Sequence, residues 1–243
     1  MAESLGAPPA APGDLPDISM LHAEAVDAEA GAWRLPAVAV RAGRAPTPPL
    51  PSHGRPDVAG ATVVVLGTAW AVPLAGHALA GLGARVVRVD NPRRPDPFPL
   101  RDALAAGCEQ TALDLDDPAG HAAFRALLSS ADLVINGSTP RVLANVGLDD
   151  AGLRSVNPEL AALQVTAFTD EDRPGYGFAA ECRGGWAVRH DPPRLARTSV
   201  ADPVAGLLAA IVAVDLLGQR RAGSRADVTL EHGVGLLLAE EAA

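Results

Sequence analysis

Six histidines, His22, His53, His77, His121, His190 and His232, form no HxxxH or HxH pair, and neither Cys108 nor Cys182 joins one at ligand spacing. The sequence therefore predicts no metal site, since zinc needs three or four such ligands held together. All 20 basic residues are Arg. That excludes a P-loop lysine, a pyridoxal-phosphate Schiff base and a lysine general base. No GxSxG elbow is present, so the usual serine-hydrolase signature is missing as well. Asp90 ends a short apolar run where a ribose-binding acid would stand. The preceding turn, Gly67 to Pro73, carries no GxGxxG, and without those glycines a backbone cannot approach a pyrophosphate in the usual way. An ordinary strand–helix–strand unit explains this stretch better than a dinucleotide site.

The 243 residues carry 29 acidic and 20 basic side chains, a net charge of -9 with no basic run. This argues against nucleic acid or an anionic membrane as partner. Aromatic residues make up only 3%, too few for base-stacking platforms. Two separated cysteines fit a reducing compartment, and the N-terminus shows no signal-peptide pattern, so a cytoplasmic protein is expected. The most apolar stretch, Val204 to Leu217, reads as a buried helix, too short to span a bilayer and interrupted by Asp215.

The elements that must position any site follow from hydrophobic patterning. Residues 1–17 are rich in Ala and Pro and read as a disordered tail. Ile18 to Ala30 predicts a helix, and Leu35 to Val40 an extended segment or edge strand. Ten of the 22 prolines fall at or before Pro56, which makes 18–56 an extension with a stiff linker and 57–243 the main domain. Strands are predicted at Thr62–Leu66, Val86–Val89, Thr111–Leu115, Leu133–Ile135, Leu160–Phe168 and Ala226–Leu230. Helices are predicted at Pro73–Leu82, Pro118–Leu128 and Arg141–Val146. A longer one follows Asp202 as N-cap, with Pro203 as its first residue, and another closes the chain. Gly83 should end the first of them. This alternation predicts an α/β fold, a Rossmann-like open and mostly parallel sheet with helices on both faces.

The order of several phrases adds a resemblance. VVVLGTAWAVPLAGHALAGLGARVVRVDNP resembles the opening of family III CoA-transferases, the carnitine CoA-transferase and formyl-CoA transferase group, through Pro73, Ala75, Gly76, Leu82, Gly83, Ala84, Asp90 and Pro92. TALDLDDPAGHAAFRALLSSADLVIN, PRVLANVGLDDAGLRSVNPELAALQVTAF, RPGYG and SVADPVAGLLAAIVAVDLLGQRRAGSRADVTLEH follow in the family's order. The resemblance covers about Val58 to Leu237. It implies CoA or an acyl-CoA as ligand, no covalently bound cofactor, and Ala71, Asp90, Asn136 and Pro140 near that ligand. It also implies an Asp nucleophile that forms a mixed anhydride and then a thioester with the enzyme.

This sequence departs from the family at that nucleophile. Where the family reads R-P-G-Y-D, the phrase here is Arg173-Pro-Gly-Tyr-Gly177, and glycine can neither attack nor carry a proton. The racemase histidine of the same fold would fall at Tyr176 and is absent. Asp172 and Glu181 are the nearby acids that could substitute, and both read more simply as surface groups. Asp202 falls at the racemase aspartate position, though its place beside Pro203 is sufficiently explained as a cap. The family's smaller domain has no counterpart before Ala243. The segment AWRLPAVAVRAGRAPTPPLP resembles the linker of tandem members, and could supply a strand that the family takes from its C-terminus. Three readings remain open. The chain binds acyl-CoA without catalysis, alone or beside a complete paralogue or a second copy of itself. It is an active transferase or racemase completed by another chain. Or it is a non-catalytic scaffold whose cleft is filled, with Trp70 inside.

Overall fold

The computed structural model describes residues 21–43, 45–48, 50–51, 56–170, 173–219 and 222–240. Its strands are β1 (Thr62–Leu66), β2 (Arg85–Asp90), β3 (Glu109–Ala112), β4 (Leu133–Asn136), β5 (Ala161–Thr166) and β6 (Arg225–Thr229). They form one sheet in the order β3-β2-β1-β4-β5-β6, and every pairing is parallel. The expected open α/β sheet is what forms. β1 and β4 lie at its centre and are covered on both faces, which is why TVVVL and LVIN read as unbroken apolar runs.

Helices α2 (Ala71–Gly81), α8 (Ala201–Gln219) and α9 (Leu230–Glu240) cover one face, where Val63, Val65, Val86, Ile135 and Leu163 meet Leu79, Ala205, Leu208 and Ala209. On the other face α4 (Pro118–Ser129), α5 (Pro140–Asn145) and α6 (Asp150–Val156) close a smaller core of Val64, Val89, Phe124, Leu128, Val134 and Leu153. Local signals set the helix ends. Asp117 caps α4, accepting from the amides of Ala119 and Gly120 at 3.0 and 3.1 Å, with Pro118 in the first turn. Gly83 follows α2 with φ of 94°, a left-handed conformation that glycine adopts without strain.

Several boundaries differ from expectation. β3 covers Glu109–Ala112 rather than 111–115, because this edge strand pairs with β2 through polar residues while Leu113 and Leu115 pack just beyond its end. α8 begins at Ala201, so Asp202 lies inside its first turn and is not the N-cap. Its 19 residues make it longer than expected, and with a mean hydropathy of 1.8 it meets the length and composition of a membrane span. Ala205, Leu208, Ala209, Ala213 and Leu216 are nonetheless buried against the core, as in the interior helix of an α/β protein. Three short helices went unpredicted: α3 (Arg101–Ala105), α6 and α7 (Gly177–Arg183). The 1–17 tail and residues 18–20 of the expected first helix lie outside the described residues; that helix, α1, covers Ala23–Ala32.

Residues 35–40 form no strand, and among the described residues no N-terminal strand joins the sheet. The segment instead follows α7, with the amides of Arg41 and Ala45 donating to the carbonyls of Cys182 and Gly184, both at 3.0 Å. A side chain at Gly185 would overlap the Gly43 carbonyl, and one at Gly235 the Pro46 carbonyl, so two glycines admit this strap.

Candidate functional site

Strand order reverses between β1 and β4, so the helices that follow these two strands leave on opposite faces and open a crevice at the strands' C-terminal ends. A cleft of about 190 Å³ lies there, lined by Trp70, Ala71 and Val72 from the start of α2, Gly137 and Thr139 after β4, and Thr166 at the end of β5. Arg173, Gly175 and Tyr176 form one wall, with Asp202 and Leu230 behind them. Ligand pockets run to roughly 300–1,000 Å³. The cleft therefore suits the end of a ligand and could not enclose a whole nucleotide-bearing cofactor.

The turn before α2 is braced. Ala69 has φ of 65°, the left-handed region, and donates its amide to Asp96 at 3.1 Å. Asp96 is itself buried and paired with Arg88 at 2.8 Å, and Arg88 is only 1% exposed. The Trp70 ring packs 5.4 Å from Phe98. An L residue held in a left-handed turn stores strain, and the buried Arg88–Asp96 pair keeps it there. Nothing in the order of residues pointed to this pair.

Gly177 opens α7, and its lack of a Cβ is used. A side chain there would overlap both Ser199 Oγ and Asp202 Oδ2. Asp202 accepts the Gly177 amide and lies in hydrogen-bonding contact with Ser199, whose hydroxyl proton goes to Glu181. Burial pushes its carboxyl above the usual range, and these hydrogen bonds offset part of that shift. The carboxylate of Asp202 thus occupies the volume in which a side chain at 177 would begin.

Glu181 corrects the expectation of a surface acid. It is fully buried, and its Oε1 accepts from the Ser199 hydroxyl at 2.9 Å and the amides of Val200 and Ala201 at 2.8 and 3.2 Å. It caps α8 from a neighbouring helix and does not line the cleft. Asp172 lies outside the described residues. Asp90 is held by Arg88 at 3.1 Å and Arg101 at 2.7 Å at the edge of the sheet, away from the cleft lining. Buried Asn136 donates to Gln164 at 2.8 Å and to the Ser138 carbonyl at 3.0 Å. It borders, with Pro140, a separate hollow of about 490 Å³ over α5, α6 and β5. That hollow is the larger, and two pairs of polar groups in its lining are committed to one another, Asn136 to Gln164 and Arg225 to Asp150. Of the site residues expected from sequence that are described, Ala71 and Asp202 line the switch-point cleft beside Trp70 and Tyr176, with Gly177 directly behind Asp202.

Arg173 is the residue that sequence reading missed. Its guanidinium donates to Asp27 Oδ1 at 2.8 Å and to the carbonyls of Asp27 and Ala37, both at 3.0 Å. Asp27 belongs to α1, 146 residues earlier, and also pairs with Arg41. No local signal could reveal a partner so far away.

Against known proteins, the profile described as CoA-transferase family III matches residues 58–238. The chain belongs to CoA-transferase family III. Succinyl-CoA–D-citramalate CoA-transferase of Chloroflexus aurantiacus is 29% identical over 201 residues, covering 72% of this chain and 50% of that protein. Succinate–glutarate CoA-transferase of Agrobacterium fabrum is 31% identical over 179 residues, covering 63% and 45%. A solved CAIB/BAIF family protein from Brucella suis superposes with a TM-score of 0.66 at 27% identity, covering 78% of this chain and 57% of its own. The chain spans about half the length of the relatives it matches. The strap and α1 lie before the matched residues.

Proposed function

We propose that this family III CoA-transferase-like chain binds the thioester end of an acyl-CoA in the switch-point cleft and does not form the covalent acyl intermediate at position 177. One observation carries the reading: Ser199 and Asp202 take up the volume of a side chain at Gly177, while the cleft in front of them stays open. Trp70 lines that cleft and packs on Phe98, which supports a binding site over a filled scaffold. The first-turn amides of α2 suit a thioester carbonyl oxygen, because a helix N-terminus carries partial positive charge and unpaired donors. CoA is the ligand, with no covalently held cofactor, and two free, half-buried cysteines fit a cytoplasmic setting. A second reading follows from the glycine at position 177: a complete family member, or another copy of this chain, supplies the carboxylate.

Calorimetric titration of the purified chain with CoA and acetyl-CoA tests the first reading. Micromolar dissociation constants, roughly 8 kcal/mol, are expected. No heat of binding up to millimolar ligand would remove the acyl-CoA site and leave the family fold alone.

A further inference from the structure

We infer that the cleft selects a short, uncharged acyl group and rejects acyl groups that end in a second carboxylate. This deepens, and rests on, the reading of the cleft as a thioester site. Among the described residues that line it, Arg173 is the single cation and Asp202 the single acid. The Arg173 guanidinium is committed outward, to the Asp27 carboxylate and two carbonyls of the N-terminal segment, and lies 5.3 Å over the Phe168 ring. Asp27 neutralises it from a segment outside the family-matched residues. What faces the ligand is one carboxylate, three threonine hydroxyls, the exposed Tyr176 phenol and a largely apolar wall of Trp70, Val72, Val165, Ala167 and Leu230.

A carboxylate taken out of water needs a cation or several strong donors, and here it would meet the charge of Asp202. The α2 N-terminus offers about half a positive charge, and the Asp202 carboxyl stands against it. Size points the same way. A volume of about 190 Å³ is equivalent to roughly six water molecules, enough for a thioester and a short chain. The relatives named for succinyl, citramalate and glutarate groups handle molecules with two carboxylates. This chain is built for the other class.

The test compares CoA, butyryl-CoA and succinyl-CoA by calorimetry on the full chain. Butyryl-CoA should bind at least tenfold more tightly than succinyl-CoA. Asp27→Asn, which leaves the Arg173 charge unbalanced, should tighten succinyl-CoA and narrow that ratio at least threefold. Asp202→Asn should narrow it from the other side, and it keeps the inference testable if the Asp27 variant fails to fold. Equal or tighter binding of succinyl-CoA by the native chain overturns the selectivity while leaving the thioester site intact. If none of the three ligands binds, the site and its selectivity fall together.

Discussion

Gly177 and Asp202 form a complementary pair. The absence of a side chain at one position gives the other room to turn its carboxylate toward the cleft, where it accepts the Gly177 amide. Restoring an acid by Gly177→Asp should therefore not restore the family's chemistry. The added side chain must displace Ser199 and Asp202, and overpacking of this kind costs about 1–3 kcal/mol. Urea denaturation is expected to show that loss, and exchange of labelled CoA between two carboxylic acids should remain at background. A variant as stable as the parent that exchanges CoA would show that the volume behind position 177 can be vacated at no cost.

At the scale of elements, α7 and α8 are joined by a buried carboxylate rather than by apolar packing alone. Glu181 gives the first amides of α8 an acceptor that the helix cannot supply itself. Glu181→Ala would leave the Val200 and Ala201 amides and the Ser199 hydroxyl without that partner, at a cost of about 3 kcal/mol. Glu181→Gln, which keeps one oxygen, should lose less. Denaturant midpoints of both variants check this, and an alanine variant within about 0.5 kcal/mol of the parent would remove the capping role. The strap belongs to this scale too. Its backbone bonds to Cys182 and Gly184 fix the far end of the same helix whose first residue is Gly177.

Across the whole molecule, the Asp27–Arg173 pair joins residues far apart in sequence at a site where both are nearly inaccessible. Burial works against ionisation of Asp27. The hydrogen bonds and charges of Arg173 and Arg41 outweigh it and hold the carboxyl below its usual value. A depressed carboxyl contributes stability that is complete above its unfolded pKa, about 3.9, and disappears as pH falls through the folded value. The native chain should lose stability below about pH 4 partly for this reason. Asp27→Asn should be about 3 kcal/mol less stable at pH 7, since it leaves Arg173 buried with an uncompensated charge. The gap between variant and parent should shrink toward pH 3, as read from urea midpoints at a series of pH values. A gap that is constant with pH would mean the carboxylate charge is not what holds the segment.

The central sheet was legible because its rules are local. β1 and β4 announce themselves as apolar runs, Asp117-Pro118 and Gly83 mark helix ends, and strand–helix alternation leaves few topologies open. The family was legible for a related reason, since its phrases recur in fixed order along one chain. The short helices α3, α6 and α7 were not legible. Each has seven residues or fewer, too short for a repeating apolar face, and each is held by its neighbours. Among the acids, sequence identified Glu181 and Asp202 but could not assign their tasks. One is buried as a cap and the other turned into the cleft, and only the crossing of α7 over the start of α8 separates them. Sequence alone thus determined the central sheet, the family and the presence of glycine at position 177. The tertiary structure decided what fills that space, which cation is neutralised and which cleft stays open, because those depend on groups distant in the chain meeting where water is excluded.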